Sequence, residues 1–249
     1  MSESQETTTA TKRKRAITDE EGTYQASVQL LRVQSKRSTF AKLEHFVQLV
    51  NESVSSSKGK DFRIKVEMIA KKAMHCSLST TQRIKSEDRF VMYCALKKKL
   101  RESLSRRGKK KDLDDDLGRM RLERFRVFAN DEKTTTFVCL CERECESRES
   151  ASEYVREIVK EVNECVAEFG FAKYEYEPTL IPHVSVAYAV GDYVEEIKRA
   201  IDLVINDDRR KDLVEDVVVE CRTDTVDLMI SGWEPKCVYS SEKVPPPEL

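Results

Sequence analysis

The sequence predicts an α+β fold, internally duplicated into two lobes of antiparallel sheet flanked by helices, with a pseudo-twofold relating the lobes across a central cleft. Three observations predict it. Residues 24–129 and 134–230 each run strand, helix, extended segment, His-x-Ser strand, helix, strand, an order that a duplication produces. Two of the three histidines stand in the same local frame, His75-Cys76-Ser77-Leu78 and His183-Val184-Ser185-Val186, 108 residues apart. Within each frame polar and apolar residues alternate at period two, so on a strand His and Ser share one face and the apolar residues pack on the other.

In chain order, residues 24–33 alternate and are rich in Val and Leu, which reads as a strand. Ser38 or Thr39 caps a helix whose Phe40, Leu43, Phe46, Val47 and Val50 form one stripe, and His45 lies off it. Residues 53–60 form a Ser/Lys/Gly loop, 62–68 a strand and 74–80 the first His-x-Ser strand. A helix over 88–104 follows, then a charged loop at 106–116 with no apolar residue to spare for a core, then a strand over 121–129. The second half supplies a strand over 134–141 and a long helix over 147–169 that Gly170 ends. A short segment, 171–176, leads to the second His-x-Ser strand, with Tyr188 expected on its packing face beside Val184 and Val186. A helix over 193–205 and strands over 214–221 and 225–230 complete the half. The expected organisation is a disordered tail at 1–22, one domain of interleaved lobes at 23–240 and a short tail at 241–249.

Composition bounds the function. The 249 residues are 39% hydrophobic and 36% charged, as in a soluble globular protein with polar insertions. No apolar run approaches the roughly 20 residues of a membrane span, and the N-terminus lacks the apolar stretch of a signal peptide, so an intracellular protein with reduced cysteines is expected. Cys139, Cys141 and Cys145 cluster without a matching C-x-x-C pair or nearby His, and read as packing thiols. Residues 1–125 hold 29 Lys+Arg against 17 Asp+Glu, and residues 126–249 hold 15 against 28. That asymmetry permits a basic lip beside a site and argues against coating of long nucleic acid; a substrate gripped at its end fits better. The run Lys12-Arg13-Lys14-Arg15 reads equally as a nuclear import signal and as a solvated charge run in a floppy tail.

The chemistry lies in the repeat. An imidazole titrating near neutrality can move a proton while a hydroxyl two residues along the same strand holds a phosphoryl oxygen. One such motif alone reads as a structural strand histidine. Two of them, converging, supply an acid, a base and two anion-holding hydroxyls, and need neither metal nor cofactor.

Paired His-x-Ser-apolar motifs on a duplicated α+β chain resemble the 2H phosphoesterases, and within them the branch that trims the 3′ end of U6 small nuclear RNA. The resemblance runs from about residue 24 to 238. It includes His75-Cys76-Ser77-Leu78-Ser79, the block Asn130-Asp131-Glu132-Lys133-Thr134-Thr135-Thr136-Phe137, and His183-Val184-Ser185-Val186-Ala187 followed by Val190-Gly191-Asp192. It implies a nuclear, monomeric 3′–5′ exoribonuclease without cofactor. Such an enzyme shortens an oligouridine tail through the ribose 2′-OH and leaves a 2′,3′-cyclic phosphate or a 3′-phosphate. By motif position it implies His75 and His183 as the catalytic pair and Ser77 and Ser185 as phosphate ligands. Tyr176, or failing it Tyr174, would stack the terminal base, with Asp131 and Pro182 as further substrate-binding positions. Lys71, Lys72, Arg83 and Lys133 flank the motifs as candidates for the phosphate path. Two other readings are a 2H enzyme that opens 2′,3′-cyclic phosphates on small nucleotides, and an RNA-processing factor that binds without cutting.

Overall fold

A computed structural model describes residues 22–57, 64–105, 118–142, 151–174, 180–210, 213 and 217–241. The basic run at 12–15, the charged loop at 106–116, Cys145 and Tyr176 lie outside them. The strands are β1 Thr23–Leu30, β2 Val33–Gln34, β3 Glu67–Met68, β4 Cys76–Ser77, β5 Gln82–Lys85, β6 Arg119–Ala129, β7 Thr135–Glu142, β8 His183–Val190, β9 Val219–Arg222, β10 Thr225–Ile230 and β11 Lys236–Ser240. The helices are α1 Arg37–Ser57, α2 Asp88–Ser105, α3 Ala151–Val166 and α4 Val194–Ile205.

These strands join into one antiparallel sheet in the order β11-β10-β1-β4-β8-β7-β6-β9-β2, with β3 also beside β8 and β5 beside β1. The order shows how the halves combine. β4 and β8 are the centre; β1 flanks one and β7 the other. Next come β10 beside β1 and β6 beside β7, so the strand closing each half joins the sheet of the other half. The mixed class, the antiparallel sheet and the repeat are as the sequence predicts. The two His-x-Ser strands, expected to face each other across a cleft, are hydrogen-bonded neighbours at Cys76↔Val184.

One face of the sheet is covered by helices, because alternate residues of each strand are apolar and bury there. Phe125 of β6 stacks on Phe46 of α1 at 4.0 Å between ring centroids. Leu140 and Val138 of β7 and Val184 and Val186 of β8 are fully or almost fully buried. In α3, Val155, Ile158, Val159, Val162, Cys165 and Val166 make the buried stripe. The chain leaves that helix region at Gly170, whose φ of 79° is the left-handed conformation that glycine adopts at low cost.

Several expectations change. The first His-x-Ser strand, expected over 74–80, is limited to Cys76–Ser77, and β5 at Gln82–Lys85 is an addition. The helix α1 starts at Arg37 and runs on to Ser57, into the span read as a loop, because Val54 buries at 4% exposure and extends the apolar stripe by a turn. Of the strand expected over 62–68, residues 62 and 63 lie outside the described residues, and among the rest only Glu67–Met68 is strand, although Ile64 and Val66 are buried. The last strands begin at Val219 and Thr225, and β11, which the sequence reading omits, pairs with β10. Tyr188 leaves the packing face, for a reason given below.

Candidate active site

The register at Cys76↔Val184 builds the site. In an antiparallel pair, directly opposed residues project to the same side. His75 therefore stands opposite Ser185 and Ser77 opposite His183, each imidazole facing the other motif's hydroxyl. Cys76 and Val184 point the other way and are fully buried. All four polar side chains are half-buried on the helix-free face.

Both imidazoles are anchored alike. His75 Nδ1 lies 2.9 Å from the Ala73 carbonyl oxygen and His183 Nδ1 2.9 Å from that of Ile181. A carbonyl only accepts, so each ring donates from Nδ1–H and leaves Nε2 for chemistry. The carbonyls come from segments that leave the sheet. The 3-10 turn at Lys71–Ala73 is looped out between β3 and β4, which both pair with β8. The Ile181-Pro182 segment precedes β8, and the Leu180 carbonyl accepts from Arg156 of α3 at 3.4 Å. The Thr80 hydroxyl, just past the first motif, donates to the Ala172 carbonyl at 3.2 Å and ties the approach to the second motif to the end of the first.

The surroundings differ. Burial lowers the pKa of His183 from 6.5, and a positive charge on His75 lowers it further, against the opposing effect of the Ile181 carbonyl. That coupling shows the two rings to be electrostatic neighbours. The Cys139 sulfur lies 3.3 Å from the Ser185 hydroxyl and fixes its position. Burial pushes the Cys141 thiol up to about 12, so it stays neutral. Both thiols sit in β7 as packing residues beneath the site.

Three side chains near the histidines are absent from the sequence reading. Phe128 of β6 packs on His183 with ring centroids 4.8 Å apart. By register Phe128 pairs with Phe137 and His183 with Cys141, which in a flat sheet would separate them by about 16 Å. Their contact means the sheet coils, bringing the β6–β7 hairpin over the second histidine. Arg124 and Arg126, paired with Cys141 and Cys139, lie on the same face and supply a basic wall. The signal in the sequence is their even spacing with Phe128 against the buried Phe125 and the apolar Val127.

The remaining candidates are placed as follows. Pro182 is buried directly before His183. Asp131 is exposed at the tip of the β6–β7 hairpin, where Asn130 Oδ1 accepts from the backbone of Thr134 and Thr135 at 2.9 and 2.8 Å. Lys133 holds a φ of 54° there and lies 3.9 Å from Asp192. Tyr174 is only 8% exposed, with Asn163 bonded to both its N–H and its carbonyl, so it is a packing residue. Lys71 donates to the Ser35 carbonyl at 2.9 Å, while Lys72 and Arg83 are exposed. A groove of about 620 Å³ between α1 and β3 is lined by Glu44 and Glu52, whose carboxylates repel a phosphate, and it does not include the histidines.

Comparison with known proteins gives three findings. The sequence profile of the HVSL family, described as an uncharacterised conserved protein, matches residues 1–231. The U6 snRNA phosphodiesterase 1 of Xenopus laevis is 37% identical over 76 residues, which make up 30% of this chain and 27% of that protein. The structure of Kluyveromyces marxianus Usb1 with uridine monophosphate overlays with a TM-score of 0.49 at 13% identity, covering 87% of this chain and 97% of that one. A second structure of the same yeast protein overlays with a TM-score of 0.46 at 15% identity and the same coverage. Overlays this loose say nothing about what this chain binds.

Proposed function

The chain belongs to the HVSL family, and from that premise we propose that it is a metal-independent 3′–5′ exoribonuclease that trims the 3′ uridine tail of U6 small nuclear RNA in the nucleus. The observation that carries the reading is the pairing at Cys76↔Val184, which sets two histidines and two serines on one open face in twofold arrangement. The sequence similarity to an RNA phosphodiesterase agrees with it.

The reaction is an internal displacement. The 2′-OH of the penultimate nucleotide attacks the adjoining phosphorus, the bond from phosphorus to the 5′-oxygen of the terminal nucleoside breaks, and the shortened RNA keeps a 2′,3′-cyclic phosphate. Addition of water to that ring gives a 3′-phosphate. One histidine takes the 2′-OH proton and the other protonates the departing 5′-oxygen, so the two work in opposite protonation states. Burial favours the neutral form of His183, which makes it the base; His75 is the acid. Ser77 and Ser185 donate to the non-bridging oxygens as charge grows on the phosphorane. Arg124 and Arg126 attract the phosphate path. Tyr176 stacks the terminal base, with Pro182 and Asp131 at its edge.

The test uses an oligouridine-tailed RNA in the presence of EDTA. Stepwise shortening, stopped by a 2′-deoxy sugar at the penultimate position and lost in His75→Ala and His183→Ala, is the expected result. Opening of small cyclic nucleotides without shortening, or binding without either reaction, overturns it.

A further inference from the structure

The sheet irregularity in β8 exposes a feature that the trimming reaction does not by itself require. Along β7 and β8 the register runs Phe137↔Tyr188 and Val138↔Ala187, then slips to Cys139↔Ser185, so one residue of β8 is extra. A bulge of this kind reverses the side on which the following residues project. Before it His183 and Ser185 face the open side; after it Tyr188 does, while the consecutive Val186 and Ala187 are both buried. Phe137, opposite Tyr188, lies on the same face as Cys139, two residues along β7. Phe128, opposite Phe137, continues the line on β6. Tyr188, Phe137 and Phe128 are thus cross-strand neighbours on the helix-free face. All three are half-buried, and the last packs on His183. The Tyr188 hydroxyl is held by Glu67 of β3 at 2.8 Å, and Glu67 is paired with Lys65 at 2.6 Å. The ring is therefore pinned at its rim.

A helix-free face has no packing use for three aromatic rings in line. About 10 Å of aromatic surface across three strands, beside a basic wall, is what unpaired nucleic acid uses: stacking on rings with charge along the backbone. We propose that Tyr188, Phe137 and Phe128 form a stacking platform for the base of the retained nucleotide, the one whose 2′-OH attacks. This inference rests on the trimming reaction proposed above. His183 as base must reach that 2′-OH, which places the retained ribose against His183 and so beside Phe128. The terminal nucleoside, whose departing 5′-oxygen His75 protonates, lies on the other side of the phosphate. Stacking tolerates every base, so the platform recognises a single-stranded RNA end rather than a sequence, and it tightens the hold on the attacking nucleotide.

The experiment measures kcat and KM on two short RNAs that differ only at the penultimate position, one with uridine and one with an abasic ribose that keeps its 2′-OH. In the unaltered protein the missing base should lower kcat/KM about tenfold or more. In the double variant Phe137→Leu, Tyr188→Leu the two substrates should become nearly equal, the larger loss falling on the uridine substrate. Tyr188→Phe should keep the full discrimination. Should the double variant fail to fold, Tyr188→Leu alone carries the comparison and should reduce the discrimination. If the unaltered protein cuts both RNAs equally, or the leucine variants lose activity on both in the same proportion, the platform is overturned while the trimming activity stands. If the unaltered protein cuts neither, both fall together.

Discussion

The two His-x-Ser strands share a frame and an anchoring hydrogen bond, yet the sheet treats them differently. β4 is two residues long and follows a looped-out turn, whereas β8 runs eight residues through the middle of the sheet between β7 on one side and β3 and β4 on the other. Phe128 and the hairpin close over His183, and nothing comparable packs on His75 among the described contacts. The pair would be chemically interchangeable if the halves were identical. Unequal burial breaks that symmetry and lowers the pKa of one ring, which under the proposed reaction makes His183 the proton acceptor.

The sharpest way to break the comparison is to remove each ring in turn. His183→Ala and His75→Ala should each lower kcat by roughly a hundredfold to ten-thousandfold, measured as RNA shortening, because each deletes one proton transfer. The asymmetry then appears with an activated substrate. A phosphodiester with a good leaving group in place of the 5′-nucleoside needs no acid, so it should restore most of the rate to His75→Ala and little to His183→Ala. Equal rescue of both would remove the assignment of base and acid.

Next in size are the hydroxyls. Ser77→Ala and Ser185→Ala should each cost on the order of a hundredfold in kcat with a smaller change in KM, as for loss of one donor to a developing oxyanion. Among the described residues no thiol bonds the Ser77 hydroxyl as Cys139 bonds that of Ser185, so Cys139→Ala should loosen one serine only. A several-fold fall in kcat is expected, with folding intact.

Much of this was legible in the chain. The order of elements and the two histidines follow from period-two alternation repeated at a distance, which a duplication leaves in plain view. What stayed hidden has a common cause: it depends on how strands register, and register leaves little trace in composition. The extra residue in β8 is one apolar side chain among several, Val186 next to Ala187, so nothing in the sequence marks where Tyr188 changes sides. The reach of Phe128 to His183 comes from coiling of the sheet, which no local pattern encodes. β11 leaves no clear alternation because Lys236-Cys237-Val238-Tyr239-Ser240 presents a single buried residue, Val238.

The pH dependence is a smaller effect with a definite sign. A base must be neutral, so with the His183 pKa lowered from 6.5 by burial the acid limb of the rate should lie at lower pH than that of an unburied imidazole. Phe128→Ser admits water to the ring and relieves part of the burial, which raises that pKa toward 6.5. The acid limb of kcat should then move to higher pH, with a loss of rate at mildly acidic pH. In His75→Gln the neighbouring charge is gone, and NMR titration should show His183 moving up as well. The same shift bears on stability. Below 6.5 the unfolded chain takes up a proton on this histidine that the folded chain resists, so folding weakens as pH falls through that window and is unaffected above it.

Each half also pins its motif with a buried hydroxyl, and these two should behave alike where the histidines do not. In the first half the Ser79 hydroxyl accepts from Val28 N–H at 2.8 Å and donates to the Thr80 carbonyl at 2.9 Å, joining β1 to the end of the first motif. In the second the Thr136 hydroxyl donates to the Gly191 carbonyl at 2.7 Å and accepts from Tyr193 N–H at 2.8 Å, joining β7 to the turn after β8. Ser79→Ala or Thr136→Val leaves a buried N–H without its partner, which costs about 1–3 kcal/mol in unfolding free energy. Both hydroxyls are buried and bonded to backbone, so kcat of the folded fraction and its pH profile should stay as they were. Denaturant titration checks the first statement, and a pH–rate series on the same samples checks the second. A variant that shifted the acid limb would show that the motif strands move with their tethers, and that the difference between the histidines is set by strand position rather than by the aromatic cover on one of them.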